Sequence, residues 1–299
     1  MEKLVRYPLS SLRDFLELTK PTVVALMILC SAVGMLMAVP GMVPLKVFVL
    51  GNLGIALCAA SAATLNHLAD RAVDRMMSRT MNRPIAQRRV GNAEALIFSG
   101  ALGGVGFWIL VTQINALTAW LTLASLLGYA LVYTIFLKRA TPQNIVIGGL
   151  AGATPPLLGW TAVTGQIDSN SLLLVLIIFA WTPPHFWALA IHRREEYASV
   201  DIPMLPVTHG TVFTRLHVFL YVILMIVSSL LPYSTSMSGE IYLIAALLLG
   251  GRFLWLSIQL IRDDTPRVAM QNFKFSITYL MILFIAMLVD HYVIPQTVL

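Results

Sequence analysis

Lys46-Val47-Phe48-Val49-Leu50-Gly51-Asn52-Leu53-Gly54-Ile55-Ala56-Leu57-Cys58-Ala59-Ala60-Ser61-Ala62-Ala63-Thr64-Leu65 carries its only charge at its first residue, and it passes without a turn signal into Asn66-His67-Leu68-Ala69-Asp70-Arg71-Ala72-Val73-Asp74. A run of about 20 apolar residues is what a helix needs to cross a bilayer, where only helices and closed barrels satisfy every backbone group. The polar continuation keeps helical spacing. Asn66, Asp70 and Asp74 recur at every fourth position and so share one helical face. They form an oxygen-bearing stripe on a helix that is leaving the membrane.

Runs of the same kind recur along the chain at 18–38, 46–65, 93–112, 115–137, 143–163, 171–191, 215–233, 241–261 and 273–294. Of 299 residues, 58% are hydrophobic and 11% charged, and the mean hydropathy is +0.81. These values exclude an ordinary soluble domain and predict an all-α integral membrane protein with nine transmembrane helices in a single domain over 1–299.

Eighteen of the 20 Lys and Arg fall on one side of that arrangement, before the first span or in the even-numbered gaps. Lys46 alone lies on the other side, and Arg252 lies inside the eighth span, where it needs a partner or a snorkelling route. The excess of basic residues predicts a cytoplasmic N-terminus and an external C-terminus. The net charge of +6 is then a topology signal spread over several loops, and no nucleic-acid partner is expected. Residues 1–17 mix Glu2, Arg6, Arg13, Asp14 and Glu17 with apolar positions and read as a cytoplasmic surface helix. They resemble neither a cleavable signal nor an Arg-rich presequence, which favours a multi-pass protein of a bacterial plasma (inner) membrane. Cys30 and Cys58 fall in spans and are expected to be packing residues without a disulfide or metal role.

Two cytoplasmic gaps are long and polar, 66–92 and 192–214, and function is expected there. In the first, Asp70 and Asp74 repel each other unless a cation lies between them. Mg²⁺ typically takes one or two carboxylates, with water and phosphate oxygens completing its shell, and Arg79 and Arg83 would bracket the phosphates. The competing reading is a solvated helix whose Asp70 and Asp74 pair with Arg71, Arg75 or Arg79. Asn66 extends the stripe, and Asp70 sits where an apolar helix is just leaving the bilayer, so the ligand-site reading is favoured. The gaps also share a pattern, Arg83-Pro84-Ile85 with Gly91 and Ile202-Pro203-Met204 with Gly210. A degenerate duplication at that offset sets Asn66 opposite His185.

The string Asn66-x3-Asp70-x3-Asp74-x4-Arg79-x3-Arg83-Pro84 resembles the first signature of the UbiA superfamily of intramembrane prenyltransferases. Three further stretches are similar to its protohaem IX farnesyltransferase (haem O synthase) branch. They are Tyr133-Thr134 to Lys138-Arg139-x2-Pro142-Gln143-Asn144, then Gly148-Gly149-x-Ala151-Gly152-Ala153-x-Pro155-Pro156, and Pro184-His185-Phe186-Trp187-Ala188-Leu189-Ala190 with Pro203-Met204-Leu205-Pro206-Val207. The resemblance implies a UbiA-like fold of nine helices around a central cavity in membrane lipid. It also implies the reaction: farnesyl diphosphate, protohaem IX (haem B) and water give haem O and diphosphate. Mg²⁺ is the implied cofactor, and the implied fate of the product is hand-over to haem A synthase or terminal oxidase assembly.

Carried over residue by residue, the resemblance makes Asn66, Asp70 and Asp74 the Mg²⁺ and diphosphate ligands and Arg79, Arg83, Lys138 and Arg139 the phosphate-side cations. Tyr133, Asn144 and Glu196 are further substrate-binding candidates, and His185 belongs to the haem side. Tyr129, Tyr133 and Trp160 could present aromatic faces to an allyl cation. The chain departs from the wider superfamily in its second loop, where Glu195 and Glu196 are adjacent and neither has an acidic residue four positions away. That departure argues against a second Mg²⁺ site, and with His185 it argues against the alternative of an aromatic, quinone-precursor prenyltransferase. An ion-coupled transporter would place its polar residues near the bilayer midplane instead. Pro183-Pro184 is expected to break the sixth span beside His185, whereas His67, His192, His209, His217 and His291 have no comparable support.

Overall fold

The computed structural model describes residues 11–263 and 265–293, and its regular elements are all helices. Helix α1 (Leu12–Leu18) is capped by Ser11, whose hydroxyl accepts from the Asp14 backbone N–H, and α1 meets α2 (Pro21–Met37) at 52°. The unbroken first span expected over 18–38 is therefore bent. Lys20 adopts a left-handed conformation with φ of 51°, as a residue kept out of the helical region by the following proline. Of the surface helix expected over 1–17, positions 1–10 lie outside the described residues.

Helix α3 (Leu45–Asp74) runs for 30 residues, and the loop expected over 66–92 loses its first nine to it. Helix α4 (Asn92–Gln113) returns across the bundle. Helix α5 (Ala116–Leu127) continues through a π-helix (Gly128–Leu137) into the short α6 (Lys138–Ala140) as one span. The next span is divided into α7 (Asn144–Ala153) and α8 (Pro155–Thr164), because Pro155 and Pro156 have no N–H to donate. Helix α9 (Ser169–His192) passes straight through Pro183 and Pro184. The break expected there does not occur, since proline's fixed φ is compatible with a helix and surrounding helices support the freed carbonyls.

The second long loop also contains more helix than expected. It holds α10 (Arg194–Ala198) and α11 (Leu205–Thr208), and α12 (Gly210–Ser234) begins inside it. Helices α13 (Glu240–Arg262) and α14 (Pro266–Val293) complete the chain. Among the described residues eight segments are each long and apolar enough to cross a membrane, and the nine that the sequence predicts are reached when the bent α1–α2 pair counts as one span.

Backbones pack closely where side chains are absent. A Cβ on Gly34 would lie 2.0 Å from the Pro156 carbonyl oxygen, and one on Gly159 would lie 1.9 Å from that of Ser31. Helices α2 and α8 therefore touch backbone to backbone, the usual device of membrane helix packing. Two buried tyrosines tie α12 to its neighbours: the Tyr242 hydroxyl donates to the Ser229 carbonyl at 2.7 Å and that of Tyr279 to the Ser229 hydroxyl at 2.8 Å. Arg252 is not enclosed by the bundle. It is exposed on α13 with its guanidinium 4.2 Å from the Trp255 ring centroid. Cys30 and Cys58 are both buried within the helices.

Candidate functional site

Three successive turns of α3 present Asn66, Asp70 and Asp74, each less than 5% exposed, and each is met from another element. Lys20 Nζ donates to Asn66 Oδ1 at 2.5 Å. Asn66 Nδ2 donates to Asp70 Oδ2 at 3.1 Å and to Thr134 Oγ1 at 3.2 Å. Lys138 Nζ donates to Asp70 Oδ2 at 2.6 Å, and Arg83 Nη1 reaches both oxygens of Asp74 at 2.9 Å. The solvated-helix reading fails at this point, because the partners are Lys138 and Arg83 in place of Arg71, Arg75 or Arg79. Arg75 turns away and donates to the Ala86 carbonyl at 3.0 Å.

Buried ion pairs of this kind add little stability relative to well-packed apolar residues, so their concentration along three turns of α3 makes this the candidate site. The donor set suits Mg²⁺. Asp70 Oδ1 is buried with no hydrogen-bond partner, which leaves a carboxylate oxygen free for a cation. No group of three His, Cys, Asp or Glu that could hold a metal occurs among the described residues. Two carboxylates and an amide would therefore need water and phosphate oxygens to complete the shell, as is usual for this ion.

The π-helix builds one wall. The Thr134 hydroxyl donates to the Tyr129 carbonyl at 2.8 Å, and the Tyr129 and Tyr133 rings stack at 5.5 Å. A Cβ on Gly148 would lie 2.1 Å from Tyr133 Cδ2, so the Tyr133 ring rests on the α7 backbone. Asn144 is fully buried and donates to the Lys138 carbonyl at 3.3 Å, fixing the turn that carries Lys138.

Glu196 joins the two long loops. It accepts from Ser78 Oγ at 3.2 Å, the Arg79 backbone N–H at 3.3 Å and Arg193 Nη1 at 3.0 Å. Burial works to raise its carboxyl, but the Arg79 N–H, Arg193 and Ser78 outweigh it and hold the group below the usual carboxylate range. Arg79 thus contributes its backbone to this clasp, while the residue is exposed.

Other expected residues lie elsewhere. Arg139 is exposed beside a pocket that it shares with Arg71. The Trp160 indole donates to Asp168 at 2.8 Å, a structural tie at the start of α9. His185 is held on α9 between the rings of Trp181 and Phe273, at 4.2 and 4.6 Å, and among the described residues its ring contacts and hydrogen bond all lie on α9 and α14. The Ser276 hydroxyl donates to the Phe273 carbonyl at 2.6 Å, so the 2.6 Å bond between His185 Nδ1 and Ser276 Oγ has the histidine as donor. The lone pair of His185 then resides on Nε2.

The family model described as "UbiA prenyltransferase family" matches residues 27–287. The chain belongs to this family. Protoheme IX farnesyltransferase of Teredinibacter turnerae is 63% identical over 283 residues, covering 95% of this chain and 91% of that relative. The protein of the same name from Marinobacter nauticus is 63% identical over 95% of this chain and 94% of its own length. Among solved structures, one described as digeranylgeranylglyceryl phosphate synthase in membranes superposes with a TM-score of 0.80 at 20% identity, covering 95% of this chain and 99% of the other. A UbiA homolog from Archaeoglobus fulgidus bound to GPP and Mg²⁺ gives a TM-score of 0.60 at 16% identity, over 92% of this chain and 99% of that one. These two likenesses establish the UbiA-family fold.

Two residues of this UbiA-family chain were not singled out as site residues from sequence. Lys20, counted there only as a topology charge, is drawn onto Asn66 by the bend between α1 and α2. Its place directly before Pro21 was the available signal. His67 is 3% exposed, and neither ring nitrogen has a hydrogen-bond partner. Its place beside Asn66 was the signal there.

Proposed function

We propose that this prenyltransferase-family chain transfers the farnesyl group of farnesyl diphosphate to a vinyl group of haem B, giving haem O and diphosphate. The observation that carries this reading is its 63% identity, over 95% of its length, to relatives named protoheme IX farnesyltransferase. The buried cation and carboxylate set of α3 supplies the chemistry. Ionisation of an allylic C–O bond moves negative charge onto diphosphate, and donors already aimed there lower the barrier more than they stabilise bound substrate. Lys20, Arg83 and Lys138 are such donors, held in place by Asn66, Asp74 and Asp70. Mg²⁺ held by Asn66, Asp70 and Asp74 would neutralise further charge on the leaving group.

Tyr129 and Tyr133 offer stacked aromatic faces to the allyl cation. The farnesyl carbon bonds to the terminal vinyl carbon of haem, and water adds at the inner vinyl carbon and releases a proton. His185, with Nε2 free, serves the haem side as an iron ligand or a hydrogen-bond acceptor. The spans cross a bacterial plasma (inner) membrane with the α3 cluster on the cytoplasmic side, and the apolar product passes within the bilayer to haem A synthase or terminal oxidase assembly.

The test is a choice of acceptor. Membranes containing the protein receive farnesyl diphosphate and Mg²⁺ with either haem or 4-hydroxybenzoate, and prenylated products are separated by chromatography. The haem reading expects farnesylated haem and no benzoate product. Prenylation of the benzoate alone refutes it.

A further inference from the structure

The wall formed by α3 and the π-helix has a second face. On it, Leu68, Arg71 and Ala72 stand opposite Thr134, Ile135 and Arg139 around a pocket of about 360 Å³. Arg71 and Arg139 are exposed, and among the described residues neither has an ion pair or a hydrogen bond from its side chain. This sets them apart from Lys138 and Arg83, which are held on Asp70 and Asp74. Those carboxylates are buried and already paired, so they cannot neutralise the two guanidiniums on the other face. Their donors are left free for an anion from outside the chain. The same pocket has apolar walls, with Ile135 49% exposed, and it lies beside Asp70, where the sequence of α3 turns from apolar to charged. Basic pockets between helices at that level suit lipid phosphates, and two planar guanidiniums suit phosphate oxygens.

We propose that this pocket binds the phosphate end of a bilayer amphiphile, either an isoprenoid diphosphate or an anionic phospholipid, at a subsite distinct from the α3 cluster. The head group lies between Arg71 and Arg139, and the chain follows Leu68 and Ile135 into the bilayer. Thr134 belongs to both faces, since it lines the pocket and its hydroxyl also accepts from Asn66. An isoprenoid diphosphate held there is staged one side chain away from the cluster. Only that arm rests on the proposed prenyl transfer; the phospholipid arm does not.

The experiment places a photoreactive amino acid at Ile135 in the full-length protein, reconstituted in phosphatidylcholine nanodiscs. The probes are farnesyl thiodiphosphate, phosphatidylglycerol and, as a control without phosphate, farnesol. The expected result is cross-linking to the first or second probe above the levels of farnesol and phosphatidylcholine, falling roughly fivefold for each of Arg71→Gln and Arg139→Gln. Cross-linking to farnesyl thiodiphosphate assigns substrate staging, and cross-linking to phosphatidylglycerol assigns a structural lipid. An Asp70→Ala variant separates the two faces and should cross-link as well as the wild type. Cross-linking that equals the farnesol control, or survives loss of both arginines, or vanishes in Asp70→Ala, overturns the proposal. None of those results bears on whether haem is the acceptor.

Discussion

Asp70 is held by Lys138 and Asn66 through one oxygen and left bare at the other. The four-residue spacing alone suggests two repelling carboxylates, and hence a gain in stability when one is removed. The structure reverses that expectation, because each carboxylate is already compensated by a cation. Asp70→Ala would leave the Lys138 charge, 15% exposed, without its partner, and breaking a buried pair costs about 3 kcal/mol. We therefore expect Asp70→Ala to lower stability by about that much in denaturant melts in detergent and to abolish Mg²⁺-dependent turnover. Near wild-type turnover at limiting Mg²⁺ would return the stripe to a structural role. His185 and Arg83 make a second prediction, since they occupy separate clusters. His185→Ala should weaken haem binding, read from haem absorbance, with little effect on Mg²⁺-dependent binding of a farnesyl diphosphate analogue, and Arg83→Ala should do the reverse. Equal loss of both ligands in the His185 variant would make it a structural histidine. The stripe was legible in the sequence because helical periodicity is local. Lys20, which lies 46 positions from Asn66, was not, because only the bend at Pro21 brings the two together.

At the scale of elements, the two long loops are joined by one carboxylate, Glu196, whose partners lie on both sides of the join. Because its folded-state pKa lies below the usual carboxylate range, the clasp contributes stability that is fully present above that range. The contribution is lost as pH falls through the depressed folded value. Limited proteolysis of the segment after Asp74 should therefore accelerate as pH drops below the usual carboxylate range in the wild type. In Glu196→Gln the segment should already be more sensitive at pH 7, with a flatter response to acid. A wild type and a Gln variant with the same profile would mean that the loops are held by other contacts. Sequence located these loops because their charges are conspicuous, but not their helices or the continuity of α9. Pro183-Pro184 reads as a break in isolation, and only packing against the neighbouring helices keeps that segment helical. The π-helix escaped in the same way, since no residue type announces an i+5 pattern.

The whole molecule poses one question that its helices raise themselves. Helix α2 has 17 residues, about 25 Å at 1.5 Å per residue, which is short against a hydrocarbon core of about 30 Å. The first crossing thus depends on the bent α1–α2 pair, whereas the other eight segments qualify alone. Hydropathy could count nine spans because each is a local run, yet it could not reveal that one of them is marginal. Charge argues that the pair does cross: Arg13 and Lys20 precede α2, and Lys46, at the start of α3, is the one base expected to face outward. Reporter fusions at residues 80 and 200 should then read cytoplasmic, because four spans separate them, and a fusion after residue 299 should read external. The decisive tag is one inserted at Gly41, between α2 and α3, paired with one at the N-terminus. Opposite sides for these two establish nine crossings. If both were external, α1 and α2 would lie along the outer surface, and Lys20 could not reach Asn66 near the other end of α3. In that event Lys20→Met would leave diphosphate-analogue affinity unchanged, whereas the crossing arrangement expects it to fall.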